Sequence, residues 1–131
     1  MGYELHPGTP PGGIPLSEYL PAPAAMLGYV RSFAAGFGIS DLVPPSRLAS
    51  TRRAHAVALR ARELGRLDAF RAAAFDAYWR KHRGLESDED LAAIAREAAL
   101  DPGEALAASR DPVALARVDS ARRKALPLCW P

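Results

Sequence analysis

From Ala24 onward the apolar residues recur at intervals of three and four, and this period constrains the chain more than any other feature. Side chains spaced in that way fall on one face of an α-helix, whereas half-buried strands need an alternation of two. Leu27, Val30, Ala34 and Phe37 make the first stripe, in a helix predicted from Ala24 to Phe37 with Gly38 as its stop. Ser50 is the expected N-cap of a second helix that reaches Leu64 and closes at Gly65. Ala54, Val57, Ala58, Ala61 and Leu64 line its inner face. A third helix is predicted from Leu67 to His82, with Leu67, Phe70, Ala74, Phe75 and Tyr78 on one face as the aromatic centre of the protein.

Three shorter helices follow, each with a readable start. Ser87 stands three residues before Asp90, a variant of the capping box. Asp101-Pro102 and Asp111-Pro112 each combine a capping carboxylate with proline at the first helical position, where the missing N–H costs nothing. Before these elements, residues 1–23 form a Pro/Gly-rich extended leader, in which 1–6 is the single segment that reads as a strand and Leu16 to Tyr19 fits one helical turn. The expectation is an all-α bundle of five to six helices over 24–126 with an irregular tail at 127–131. Its predicted core runs along Val57, Ala61, Phe70, Phe75, Tyr78, Leu91, Ile94 and Leu115.

Charge is unevenly spread. Residues 47–83 hold ten Arg and Lys against three acids, and 84–131 hold nine acids against six bases. Such asymmetry suits either an anion-binding face or an ordinary solvated helix surface. Exposed aromatics do not interleave the basic stretch, so nucleic acid is not expected as a partner. No apolar run approaches the ~20 residues of a membrane span, and no secretory signal is visible. The one cysteine, Cys129, excludes an intrachain disulfide and fits a reducing, cytoplasmic setting. His6, His55 and His82 lack metal-ligand spacing, and no serine sits in a nucleophile elbow. Glu86 to Asp90 reads as a helix start and not as a calcium loop. His55, near a helix start beside Arg52 and Arg53, has two readings: one end of an anion site, or a histidine at a packing surface.

Several segments carry a resemblance in the same order and spacing. They are Tyr3 to Pro7, Pro10 to Leu16, Ser50-Thr51-Arg52-Arg53-Ala54-His55, Gly65-Arg66, Phe75-Asp76-Ala77-Tyr78 and Ala98 to Asp101. Together they resemble the helical insertion of DsbA-like proteins of the thioredoxin superfamily, and in particular the branch of 2-hydroxychromene-2-carboxylate isomerase and thiol–disulfide oxidoreductases. In that branch Asn-Thr-x-x-Ala-His commonly opens a helix; here Thr51, Ala54 and His55 match and Ser50 replaces the asparagine. The resemblance implies that catalysis belongs to a thioredoxin-like domain carrying Cys-x-x-Cys, or a serine in the glutathione-dependent isomerases, together with a cis-proline loop. Those segments would fall before residue 1 and after about residue 126. The chain is therefore expected to hold no catalytic residue and to be inactive alone. Ser50, Thr51, Arg52 and His55 would face the substrate or the thioredoxin-like domain, with glutathione as the implied cofactor. The alternative is a non-catalytic helical module that binds a partner or itself. Without the thioredoxin-like domain, the face that would meet it is expected to lie uncovered at Tyr3, Leu5, His55, Leu59, Leu126, Leu128 and Trp130, and to drive a homodimer or a soluble aggregate.

Overall fold

The computed structural model describes residues 4, 6–20, 22–43 and 45–129, with the side chain of residue 129 excepted. Among these, the order is β1 (Ile14–Pro15), α1 (Leu16–Tyr19), α2 (Pro23–Ala35), β2 (Arg47–Leu48), α3 (Arg52–Glu63), α4 (Leu67–Trp79), α5 (Asp88–Glu97), α6 (Pro102–Arg110) and α7 (Pro112–Cys129). The chain is a helical bundle, as the period of three and four requires.

α3 is the central element. Its Ala54, Val57 and Ala61 join Phe70, Ala73 and Ala77 of α4, Leu91, Ile94 and Ala95 of α5 and Ala105 of α6 in the main core. On its opposite side, Ala56 and Leu59 pack against Ala114 and Val118 of α7, with half-buried Leu115 beside them. A helix apolar on both sides must be covered on both sides. Leu91, Ile94 and Val57 are sealed from solvent; burying each contributes about 1.5–3 kcal/mol. The alanines of α3 and α4 let the two backbones approach, and Gly65, at φ +69°, makes the turn between them.

The three later helix starts follow their sequence signals. Ser87 Oγ accepts from the Asp90 N–H at 3.0 Å, Asp101 Oδ2 from Glu104 N–H at 2.8 Å, and Asp111 Oδ1 from Val113 N–H at 3.1 Å. The second helix departs from its expected start. Thr51 occupies the N-cap position of α3 without a side-chain cap bond, and the Ser50 N–H donates instead to Glu86 Oε1 at 2.8 Å.

Four further expectations are corrected. The predicted strand at 1–6 lies largely outside the described residues, and Glu4 and His6 are in no strand. The strands found are β1 and β2, antiparallel with Ile14 opposite Leu48 and Pro15 opposite Arg47. Gly13 makes this pairing possible: it sits at φ +70°, and a Cβ there would lie 2.6 Å from the Leu48 carbonyl oxygen. The Arg47 guanidinium fastens the pair by donating to the Gly12 and Gly13 carbonyls at 3.1 and 3.0 Å.

On α2, only Ala34 of the predicted stripe is buried, and Phe37 beyond its end is exposed. Tyr29 and Phe33 stack at 6.5 Å, and Phe33 meets Phe37 at 5.2 Å, on an open face. On α4, Phe75 is 65 % exposed and so is not a core residue, while Tyr78 is half-buried. At 3.6 residues per turn, Phe75 points about 140° away from Phe70. The sealed stripe is Phe70, Ala73 and Ala77, and the bulkier apolar stripe is turned to its flank. Finally, the tail is not irregular up to its end: α7 continues through Leu126 and Pro127 to Cys129. Proline there removes one backbone donor, a small loss in an exposed last turn where the Arg123 carbonyl can turn to water. Among the described residues, no helix is long and apolar enough to cross a membrane.

Candidate functional site: a cleft along α3, α4 and α7

The flank of α4 that the core leaves uncovered faces a cleft of about 710 Å3. Ala54 and Ala58 of α3, Phe70 and Ala74 of α4 and Val118 of α7 form apolar walls. At one end stand Thr51, His55, Tyr78 and Trp79. Towards the Gly65 turn stand Arg62 and Arg71, and α7 adds Arg117. Among the described residues, no Asp or Glu lines the cleft.

The structure separates the four residues singled out in the sequence. Thr51 and His55 line the cleft, one helical turn apart; Ser50 and Arg52 do not. Burial pushes the His55 imidazole below its ordinary pKa of 6.5, so the ring is neutral at pH 7. Arg52 grips Asp119 of α7 with both terminal nitrogens, the second pair at 3.0 Å, and lies 3.9 Å from the buried Glu4. That hydrogen-bonded pairing holds the Asp119 carboxyl below its usual range. Arg52 thus ties the leader and α7 to the start of α3. Tyr78 O–H donates to the Arg47 carbonyl at 2.6 Å, which anchors β2 at the aromatic end of the cleft, and burial pushes this phenol up.

Glu63, at the same end of α3, is already engaged. Arg60 Nη1 reaches it at 2.9 Å and Arg117 Nη1 at 3.2 Å, and these bonds hold its carboxyl below the usual range. Arg62, Arg71 and Arg117 were not singled out from the sequence. The excess of bases over 47–83 was the available signal for the first two. Arg117 lies outside that stretch and reaches the site only because α7 folds back across α3. Among the described residues, no group of His, Cys, Asp or Glu could hold a metal ion.

A helical bundle with an apolar cleft that no Asp or Glu lines among the described residues defines a binding fold before it defines a chemistry. The sequence profile of the DSBA-like thioredoxin domain matches residues 2–128. The chain therefore belongs to the DSBA-like thioredoxin domain family. No curated protein and no solved structure matches it.

Proposed function

We propose that this chain is the helical part of a DsbA-like thiol–disulfide oxidoreductase or glutathione-dependent isomerase, working in the cytoplasm. In this reading it covers an active site supplied by a thioredoxin-like domain, on the same polypeptide or on another. The observation that carries it is the family match over nearly all of a sequence that is helical and holds one cysteine. Disulfide exchange needs one thiolate to attack and a second to resolve, so the chemistry has to come from the other domain. This chain contributes the apolar cleft and its Thr51–His55 end. In the isomerase branch the cofactor would be glutathione. A hydroxyl at Thr51, a neutral imidazole at His55 and the cleft arginines can meet only some of that tripeptide's polar groups. The remainder would be met by the thioredoxin-like domain.

The isolated chain is expected to show no reduction of insulin by dithiothreitol above background. Addition of a DsbA-type thioredoxin domain deleted of its own helices should raise the rate above that of the domain alone. A chain that catalyses by itself, through a rate lost on Cys129→Ser, would defeat the reading.

A second reading is favoured by α2. Its Tyr29 and Phe33, with Phe37 just beyond its end, form an exposed aromatic ladder, and the helix carries Arg31 as its one charge. A non-catalytic module that self-associates would use this face, and not Leu59, which is buried under α7. Such a module should show a mass that rises with concentration in sedimentation, and Phe33→Glu should return it to monomer. A monomer at high concentration before any substitution would remove this reading.

A further inference from the structure

We infer that the α3–α4–α7 cleft receives the α2 aromatic ladder of a second copy of this chain, and that the two copies exchange α2 reciprocally. The inference rests on the self-association reading and adds to it the surface that takes up α2.

Both surfaces are unfilled within one chain. α2 has Ala34 as its one buried residue and packs substantially against no other element among the described residues. Tyr29, Phe33 and Phe37 are 70, 62 and 72 % exposed. No described residue of α2 lines the cleft, which stands open at about 710 Å3.

Shape is the first argument. Tyr29, Phe33 and Phe37 recur every fourth residue, with ring centroids 6.5 and 5.2 Å apart. On α4 the cleft wall has the same period, in Phe70, Ala74 and Tyr78. Eight residues of helix span about 12 Å, so ladder and wall match in length. Rows of that period are the ridges that interlock in the commonest class of helix packing. Ala74 and, across the cleft, Ala58 leave the middle of the wall low, where Phe33 is the middle ring of the ladder.

The second argument is polarity. No Asp or Glu lines the cleft among the described residues, and α2 has none. Its one charge, Arg31, is two residues from both Tyr29 and Phe33, about 160° round the helix, and stays outside the contact. A helix also arrives with its backbone hydrogen bonds made, whereas an extended peptide would leave amides unpaired along the alanines.

The third argument is area. With about two-thirds of each roughly 200 Å2 side chain uncovered, the three rings offer about 400 Å2. Reciprocal docking gives each copy one ladder and one wall, about 800 Å2 per copy, which is the size of a stable interface. Exchange in both directions closes a twofold dimer and leaves neither surface open. Pairing of α2 with α2 would cover the ladders and leave both clefts empty.

Sedimentation of the full chain at micromolar concentrations should show a dimer. Phe33→Glu and Phe75→Glu, both at exposed positions and with unchanged circular dichroism, should each weaken it at least ~30-fold, as loss of an aromatic anchor does. An equimolar mixture of the two variants should recover dimer at concentrations where neither associates alone, because one intact ladder then meets one intact cleft. A dimer that Phe75→Glu leaves unchanged, or a mixture that stays monomeric, would overturn the inference and leave the self-association reading standing. A parent chain that stays monomeric would remove both.

Discussion

Phe70→Ala should lower the unfolding free energy by about 3–5 kcal/mol, while Phe75→Ala, five residues along the same helix, should cost less than about 1 kcal/mol. Phe70 is 2 % exposed and sits against Val57, Leu91 and the alanines of the main core, so its removal leaves a cavity that rigid helices cannot close. Phe75 is 65 % exposed and leaves no enclosed space behind it. Urea unfolding followed at 222 nm would measure both, with midpoints compared at unchanged slope. Comparable losses at the two positions would mean that α4 is rotated about its axis relative to this structure. The contrast also bears on the site, because that rotation would close the cleft.

The difference between those two phenylalanines shows where sequence reasoning stopped. The capped starts of α5, α6 and α7 and the stop at Gly65 were legible because caps and glycine turns act through the local backbone. The core positions Val57, Ala61, Leu91 and Ile94 were legible because their spacing has one apolar solution. On α4 there were two. Counting hydrophobic bulk selects Leu67, Phe70, Ala74, Phe75 and Tyr78; of these the bundle seals only Phe70, together with Ala73 and Ala77, since small residues permit close helix packing. The bulky stripe was left to line the cleft. The second face of α3 was hidden for a similar reason: Ala56 and Leu59 look like outward positions until α7 returns across them. For the candidate site, Thr51 and His55 were found together, but the arginine end depends on a hairpin and a crossing helix. No single window of sequence contains it.

Arg53→Met is expected to cost about 2–3 kcal/mol, because one guanidinium holds three helices together. From α3 it donates through Nη1 to the Glu86 carbonyl at 2.5 Å, and through Nη2 to Asp88 Oδ1 at 2.5 Å and to Ser109 Oγ at 2.9 Å. These contacts join the start of α5 and the end of α6 to α3. Methionine keeps the apolar stem, so the loss is mainly of hydrogen bonds and charge. Two facts keep the cost moderate: Asp88 retains Arg110, and Ser109 Oγ still donates to Leu106 O at 2.7 Å. The buried Arg53 Nε has no partner among the described residues, a cost that methionine would remove. The sign of the pH dependence follows from Asp88. Its carboxyl is held below the ordinary 3.8, first by Arg53 and then by Arg110. A depressed carboxylate contributes stability above its unfolded pKa and loses it as the pH falls through the folded value. The gap between the parent protein and Arg53→Met should therefore be full at pH 7 and should narrow on acidification through and below pH 3.8. Pairing the substitution with Ser109→Ala should give less than the sum of the two single losses, because both remove the same bond. A gap that stays constant from pH 7 to pH 3, with losses that simply add, would mean that the Asp88 and Ser109 contacts do not carry the loss.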